Sequence, residues 1–93
     1  MKSLEKEHLL LIRDLFKDRR IAIGLKQVEV ASRSGVNIAT FRLFEKNGQI
    51  SLINLLKISV LYKMDRRFVE SVTDRSWWSI TELERAERFK TVR

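Results

Sequence analysis

The stretch Lys26–Gly48, KQVEVASRSGVNIATFRLFEKNG, holds two short helical patterns, Gln27 to Ser34 and Ile38 to Lys46, on either side of Gly35-Val36-Asn37. A glycine that tolerates φ > 0, an apolar residue and a side-chain cap, in that order, predict a helix-turn-helix. Helical spacing directs Val30, Ala31, Val36, Phe41 and Phe44 toward one core and leaves Gln27, Arg33, Asn37, Ile38, Ala39, Arg42 and Lys46 outside it. Ala31 is small, as steeply crossing helices require where their backbones approach. The Asn37 side chain is expected to accept a bond from the amide of Ala39 or Thr40. The second helix then begins with free amides and the positive end of its dipole facing outward, an end that suits a phosphate.

The whole chain is 93 residues, enough for one domain with a modest core. Hydrophobic residues make up 44% and charged residues 33%, and the apolar positions are periodic, which argues for a folded chain. Nineteen Lys and Arg against twelve Asp and Glu give +7, a charge that draws the protein to polyanions without choosing among nucleic acid, anionic membrane and acidic protein. With no Cys there is no disulfide, thiolate zinc site or Cys nucleophile, and one His leaves little for a metal site or proton transfer; neither metal nor cofactor is expected. No run of roughly eighteen apolar residues occurs, and Glu5, Glu7 and Asp14 surround the LLLI run. Neither a membrane span nor a signal peptide is indicated, and the expected location is the cytoplasm.

Proline is absent, and the three glycines, at 24, 35 and 48, each fall between helical patterns. Ser3 is the expected N-cap of a first helix running to about Ile23, with Leu4, Leu11, Ile12, Leu15, Phe16, Ile21 and Ile23 as its apolar stripe. Lys17, Arg19 and Arg20 suit that helix's own carbonyl end. Gly48 sits at a C-cap, and Ser51 caps a fourth helix with Leu52, Leu55, Leu56 and Ile58 in the core. Ile53, Val60 and Leu61 leave this helix apolar nearly all round, which predicts a second buried surface, most simply against another copy. Asp65 reads as the cap of a fifth helix, Arg66 to Val72, with Phe68, Val69 and Val72 inward. Ser79 followed by Glu82 matches a capping box and predicts a last helix to about Phe89, with Leu83 and Ala86, or Ala86 and Phe89, as its apolar side. Adjacent indoles in a strand or turn diverge, so one of Trp77 and Trp78 is expected at a dimer or partner interface; the alternative is two satellite core residues. The domain is accordingly 1–72 with its motif at 27–46, and 73–93 is a tail for dimerisation or partner binding, either helical or a strand paired across a dimer.

Gly24-Leu25, Gln27, Glu29, Ala31, Gly35-Val36, Thr40, Phe44-Glu45, Ser51-Leu52 and Leu55-Leu56 together resemble, over roughly residues 9–72, the Cro and phage-repressor-like helix-turn-helix family, often called the XRE type. The resemblance implies an all-α, five-helix domain whose third helix enters the DNA major groove, usually as a symmetric dimer on a palindromic site. It implies that Gln27 contacts a phosphate and buttresses the recognition helix, that Asn37 lies close to the DNA backbone, and that Ile38, Ala39 and Arg42 face the bases with Leu43 at the margin. Arg20 and Glu45 resemble the family's buried ion pair. Lys26 departs from the family's Thr, Ser or Asn cap; it cannot accept an amide bond but can reach a phosphate. Ile38 and Ala39 can touch thymine methyls only, so Arg42 carries the hydrogen-bonding readout, to guanine O6 and N7, or else contacts a phosphate. Lys26, Arg33, Thr40, Lys46 and Asn47 complete the expected backbone contacts.

The leading expectation is a sequence-specific, double-stranded DNA-binding regulator, a dimeric repressor without catalysis. The alternative resembles HipB-type antitoxins, with Trp77, Trp78 and the last helix binding a toxin protein while the domain represses its own operon. An enzyme is not expected: His8 beside Glu7 reads as an edge residue, and no HExxH, nucleophile elbow or phosphate loop occurs. Membrane binding is remote, because the terminal helices interleave acids with bases.

Overall fold

The computed structural model describes residues 3–90, which form six helices and no strand: α1 (Leu4–Ala22), α2 (Gln27–Ser34), α3 (Ile38–Asn47), α4 (Leu52–Leu61), α5 (Asp65–Thr73) and α6 (Ile80–Phe89). Short polar side chains start four of them. Ser3 Oγ accepts from Lys6 N at 3.2 Å, Asn37 Oδ1 from Ala39 N at 2.8 Å, and Ser51 Oγ from Asn54 N at 3.3 Å. At α6 the box is reciprocal: Glu82 N donates to Ser79 Oγ at 3.1 Å and Ser79 N to Glu82 Oε1 at 2.8 Å. Gly35 and Gly48 close α2 and α3 in the left-handed region, at φ 79° and 81°. Gly48 has a second reason to be glycine: a Cβ there would lie 2.8 Å from the Leu9 carbonyl oxygen.

The core is one cluster of Phe16, Val30, Val36, Phe41, Phe44, Leu55, Ile58 and Tyr62. Phe16 is its hub, with ring centroids 5.7 Å from Phe44, 6.0 Å from Tyr62 and 6.4 Å from Phe68. Ala31 is half-buried on α2, which packs against both α3 and α4.

Several expectations are corrected. In α1 only Phe16 is fully buried, and Leu4, Leu11, Leu15 and Ile21 are exposed, Leu11 to 66%. The reason is that α1 packs against α3 through Leu9, Arg13, Phe16 and Arg20, a face with two arginines in it, and the purely apolar stripe lies elsewhere on the cylinder. In α4, Leu52 is exposed and Leu61, expected at an interface, instead packs on the core, while Ile53 and Val60 are exposed. Asp65 is the first residue of α5 and not its cap, and Val69 and Val72 are exposed, leaving Phe68 as the residue of that helix that packs on the core.

Of the tail, Ile80–Phe89 is helical, and residues 91–93 lie outside the described residues. The two indoles do not diverge: the Trp77 and Trp78 rings meet edge to face at 5.9 Å, with Arg75 5.1 Å above the Trp78 ring. They belong to a turn of their own, in which Trp77 Nε1 donates to Asp74 O at 2.9 Å and Ser76 Oγ to Asp74 Oδ2 at 2.7 Å. Among the described residues α6 packs against no other helix. The radius of gyration, 16.5 Å, accordingly exceeds the about 12 Å typical of a compact chain this long. Among the described residues no helix is long and apolar enough to cross a membrane.

Candidate nucleic-acid interface

α3 is two-sided. Phe41, Phe44 and Glu45 point inward, while Ala39, Arg42, Leu43 and Lys46, spaced i, i+3, i+4 and i+7, form one exposed stripe. Leu43 sits within this stripe, 46% exposed, and the half-buried Ile38 lies at its edge, the reverse of their expected places. Thr40 is half-buried beside them. Asn37 Oδ1 is committed to the first amides of α3, which leaves its amide group to face outward.

The inner face of α3 is held by a polar clamp. Arg20 Nε and Nη2 donate to Glu45 Oε2 and Oε1 at 2.7 and 3.0 Å, a bidentate pair, and Gln27 Nε2 donates to Oε1 at 2.8 Å. Arg20 Nη1 also donates to Leu25 O at 3.0 Å, so one guanidinium ties α1, the α1–α2 turn and α3 together. The only carboxylate on α3 is thereby buried and neutralised, and Arg42 and Lys46 have no acidic partner among the described residues. The exposed face of α3 is left cationic and apolar.

Around that stripe the expected contributors divide. Lys26 is exposed and caps nothing with its side chain; its backbone amide donates to Glu29 Oε1 at 3.0 Å, so Glu29 supplies the half of a capping box that a lysine cannot. Gln27 turns its amide toward Glu45, and that bond, more than any outward reach, defines its position. Asn47 Oδ1 accepts from Gln49 N at 3.0 Å and its amide stays available. Arg33 pairs with Glu29 at 3.6 Å and shares a shallow depression with Lys57, Val60 and Leu61 that no residue of α3 lines.

Two arginines of α1 act in ways the sequence reading missed, while Arg20 forms the pair with Glu45 that the resemblance implies. Arg13 Nη1 donates to Lys46 O at 2.8 Å at the carbonyl end of α3, and Arg19 Nε donates to Tyr62 O at 3.1 Å at the end of α4. Arg19 and Arg20 lie in the last turn of α1, and with Arg13 their guanidinium groups also bond to other elements. Tyr62, fully buried, has no hydrogen-bond partner for its hydroxyl among the described residues, and burial, followed by the nearby Glu45 carboxylate, pushes its phenol above the ordinary range. No group of three or more metal-ligating side chains occurs among the described residues. Compared with protein-family models, curated proteins and solved structures, the chain matches none.

Proposed function

We propose that the chain is a sequence-specific double-stranded DNA-binding regulator acting as a dimeric repressor, with α2, the turn and α3 as a helix-turn-helix of the Cro and phage-repressor type and α3 in the major groove. One observation carries the reading: α3 presents Ala39, Arg42, Leu43 and Lys46 as a continuous outward stripe while its single carboxylate is clamped on the opposite side. Arg42 donates to guanine O6 and N7, and Ala39, Leu43 and the edge of Ile38 contact thymine methyls. Lys26, Lys46 and the amides of Asn37 and Asn47 hold phosphates, and the polar clamp through Gln27 keeps α3 at a constant angle to that frame. Repression follows by occluding a promoter.

A second reading adds a protein partner. The exposed Trp77 and the uncovered α6 favour an antitoxin that binds a toxin through its tail and represses its own operon with the same α3. A toxin-sized reading frame beside the gene distinguishes it.

Fluorescence anisotropy tests the first reading, using a labelled duplex from the gene's own upstream region and a shuffled duplex. The native duplex binds more tightly, and the preference persists at high salt. Arg42→Ala weakens the native duplex by about 1–3 kcal/mol more than the shuffled one, whereas Gln27→Ala weakens both. Equal losses from the two changes would reduce Arg42 to a backbone contact, and equal binding of both duplexes would overturn sequence recognition.

A further inference from the structure

A groove of about 580 Å³ lies between α1 and α5, floored by Ile12, Leu15 and Phe68 and edged by Arg19, Lys63 and Arg67. No residue of α2 or α3 lines it, so it is separate from the α3 stripe. Small-molecule sites commonly enclose about 300–1,000 Å³. Ile12 and Leu15 on its α1 wall are exposed, Leu15 to 58%, and from the α5 wall Phe68 reaches Phe16 with ring centroids 6.4 Å apart. None of the three cations has a carboxylate within ion-pair distance among the described residues.

The groove is polarised along its length. Arg19 Nε donates to Tyr62 O at 3.1 Å, which fixes the guanidinium beside the α4–α5 turn that holds Lys63, and its two Nη groups have no hydrogen-bond partner among the described residues. Arg67 follows in the first turn of α5. Farther from that turn come Leu15, Phe68 and Ile12, with the uncharged Ser71 at the far end. Cations at one end and an apolar bed beyond them complement a molecule with an anionic head and an apolar body. Lys63 is a second, independent sign. At φ 58° it is the one described residue other than glycine in the left-handed region. A glycine would take that backbone without strain, so a lysine there is held at a cost to folding, and the turn itself makes no use of its amine.

We propose that the α1–α5 groove binds a free amphipathic carboxylate, an aliphatic acid of medium chain length. Its carboxylate accepts from the Arg19 Nη groups, Lys63 and Arg67, and its chain lies over Leu15, Phe68 and Ile12. Along α1 the distance from Arg19 to Ile12 is about 10 Å at the helical rise, which sets the length of the apolar body. The proposal concerns a small-molecule site and does not rest on DNA binding.

Isothermal titration calorimetry of the full chain with decanoate, kept below its micelle-forming concentration, tests it. Decanoate binds once per chain. Decanol, which has the chain without the charge, and acetate, which has the charge without the chain, each bind more weakly by about tenfold or more. Lys63→Gly weakens decanoate by about tenfold and at the same time raises the thermal midpoint, because it removes the amine and relieves the left-handed backbone. A merely structural lysine would not move affinity and stability in opposite directions. Arg67→Gln, at an exposed position, weakens decanoate likewise and keeps native helicity by circular dichroism, as does Leu15→Glu, which sets an acid in the apolar bed. A native chain that takes up no decanoate would overturn the proposal, and binding of anionic lipid vesicles in its place would assign the cations to a membrane surface. Decanol binding as tightly as decanoate, or decanoate affinity unchanged in all three variants, would overturn it as well. None of these readouts involves DNA, so a failure here is separate from a failure of duplex recognition.

Discussion

Glu45 accepts three hydrogen bonds in a site closed to water, and Arg20 supplies two of them. Removing one partner of such a pair leaves a buried charge uncompensated, which costs about 3–5 kcal/mol. Arg20→Ala should therefore lower stability by that amount in urea unfolding, while Arg42→Ala, at an exposed and unpaired position, should stay within about 0.5 kcal/mol of the native chain. Gly35 and Gly48 separate two effects that coincide at most helix ends. At Gly35 a Cβ meets nothing within 4 Å, so Gly35→Ala should cost only the left-handed backbone, about 1–2 kcal/mol. At Gly48 the same change also drives a methyl into the Leu9 carbonyl, and its thermal midpoint should fall well below that of Gly35→Ala. Tyr62 adds a pH dependence. Its phenol is raised in the folded state, so its neutral form is favoured there; the contribution is complete below the ordinary phenol value of about 10 and is lost as pH rises beyond it. Stability should fall in alkali, and Tyr62→Phe should flatten that fall. This is the only tyrosine, so phenolate absorbance reads its titration directly.

Among the elements, the caps were the most legible. Asn37, Ser51 and the Ser79–Glu82 box announce helix starts because a short side chain reaches only its own next turn, and such bonds are written in local spacing. The α4–α5 turn was not legible: Lys63 takes φ 58° there without glycine, and no residue type marks the change of direction. The Trp77–Trp78 turn was misjudged for a similar reason, since alternation along an extended chain does not hold once Asp74 folds the backbone onto itself. Asp74 supplies a test. Hydrogen bonds from Ser76 Oγ and Ser76 N hold its carboxyl below the usual carboxylate range, so the turn is stabilised above that range and released as pH falls through the lowered value. Tryptophan fluorescence should change in that acid window, and Asp74→Asn should show the acid spectrum at neutral pH.

At the scale of the whole molecule, the charge of +7 decides how strongly any polyanion is attracted, and it should appear in the salt dependence of duplex binding. Each phosphate contact contributes about 0.9 to the slope of log affinity against log salt, so Lys46→Ala should lower that slope by close to one while leaving the preference for the native duplex in place. The all-helical class, the positions of the six helices and the inward set Val30, Val36, Phe41 and Phe44 were readable from periodicity and caps, because both are properties of neighbours along the chain. What they could not reveal was which side of each helix meets another. α1 turns two arginines and a phenylalanine toward α3 and leaves leucines outside, since Arg20 gains a buried carboxylate and Arg13 a helix end that lie 25 and 33 residues away in sequence. The same holds for the α3 stripe, where the packing of Phe41 and Phe44 sets the rotation that brings Leu43 forward and draws Ile38 back. Spacing along the chain sufficed for the elements, whereas the faces they present followed from hydrogen bonds and ring contacts between distant residues, which exist only once the helices have assembled.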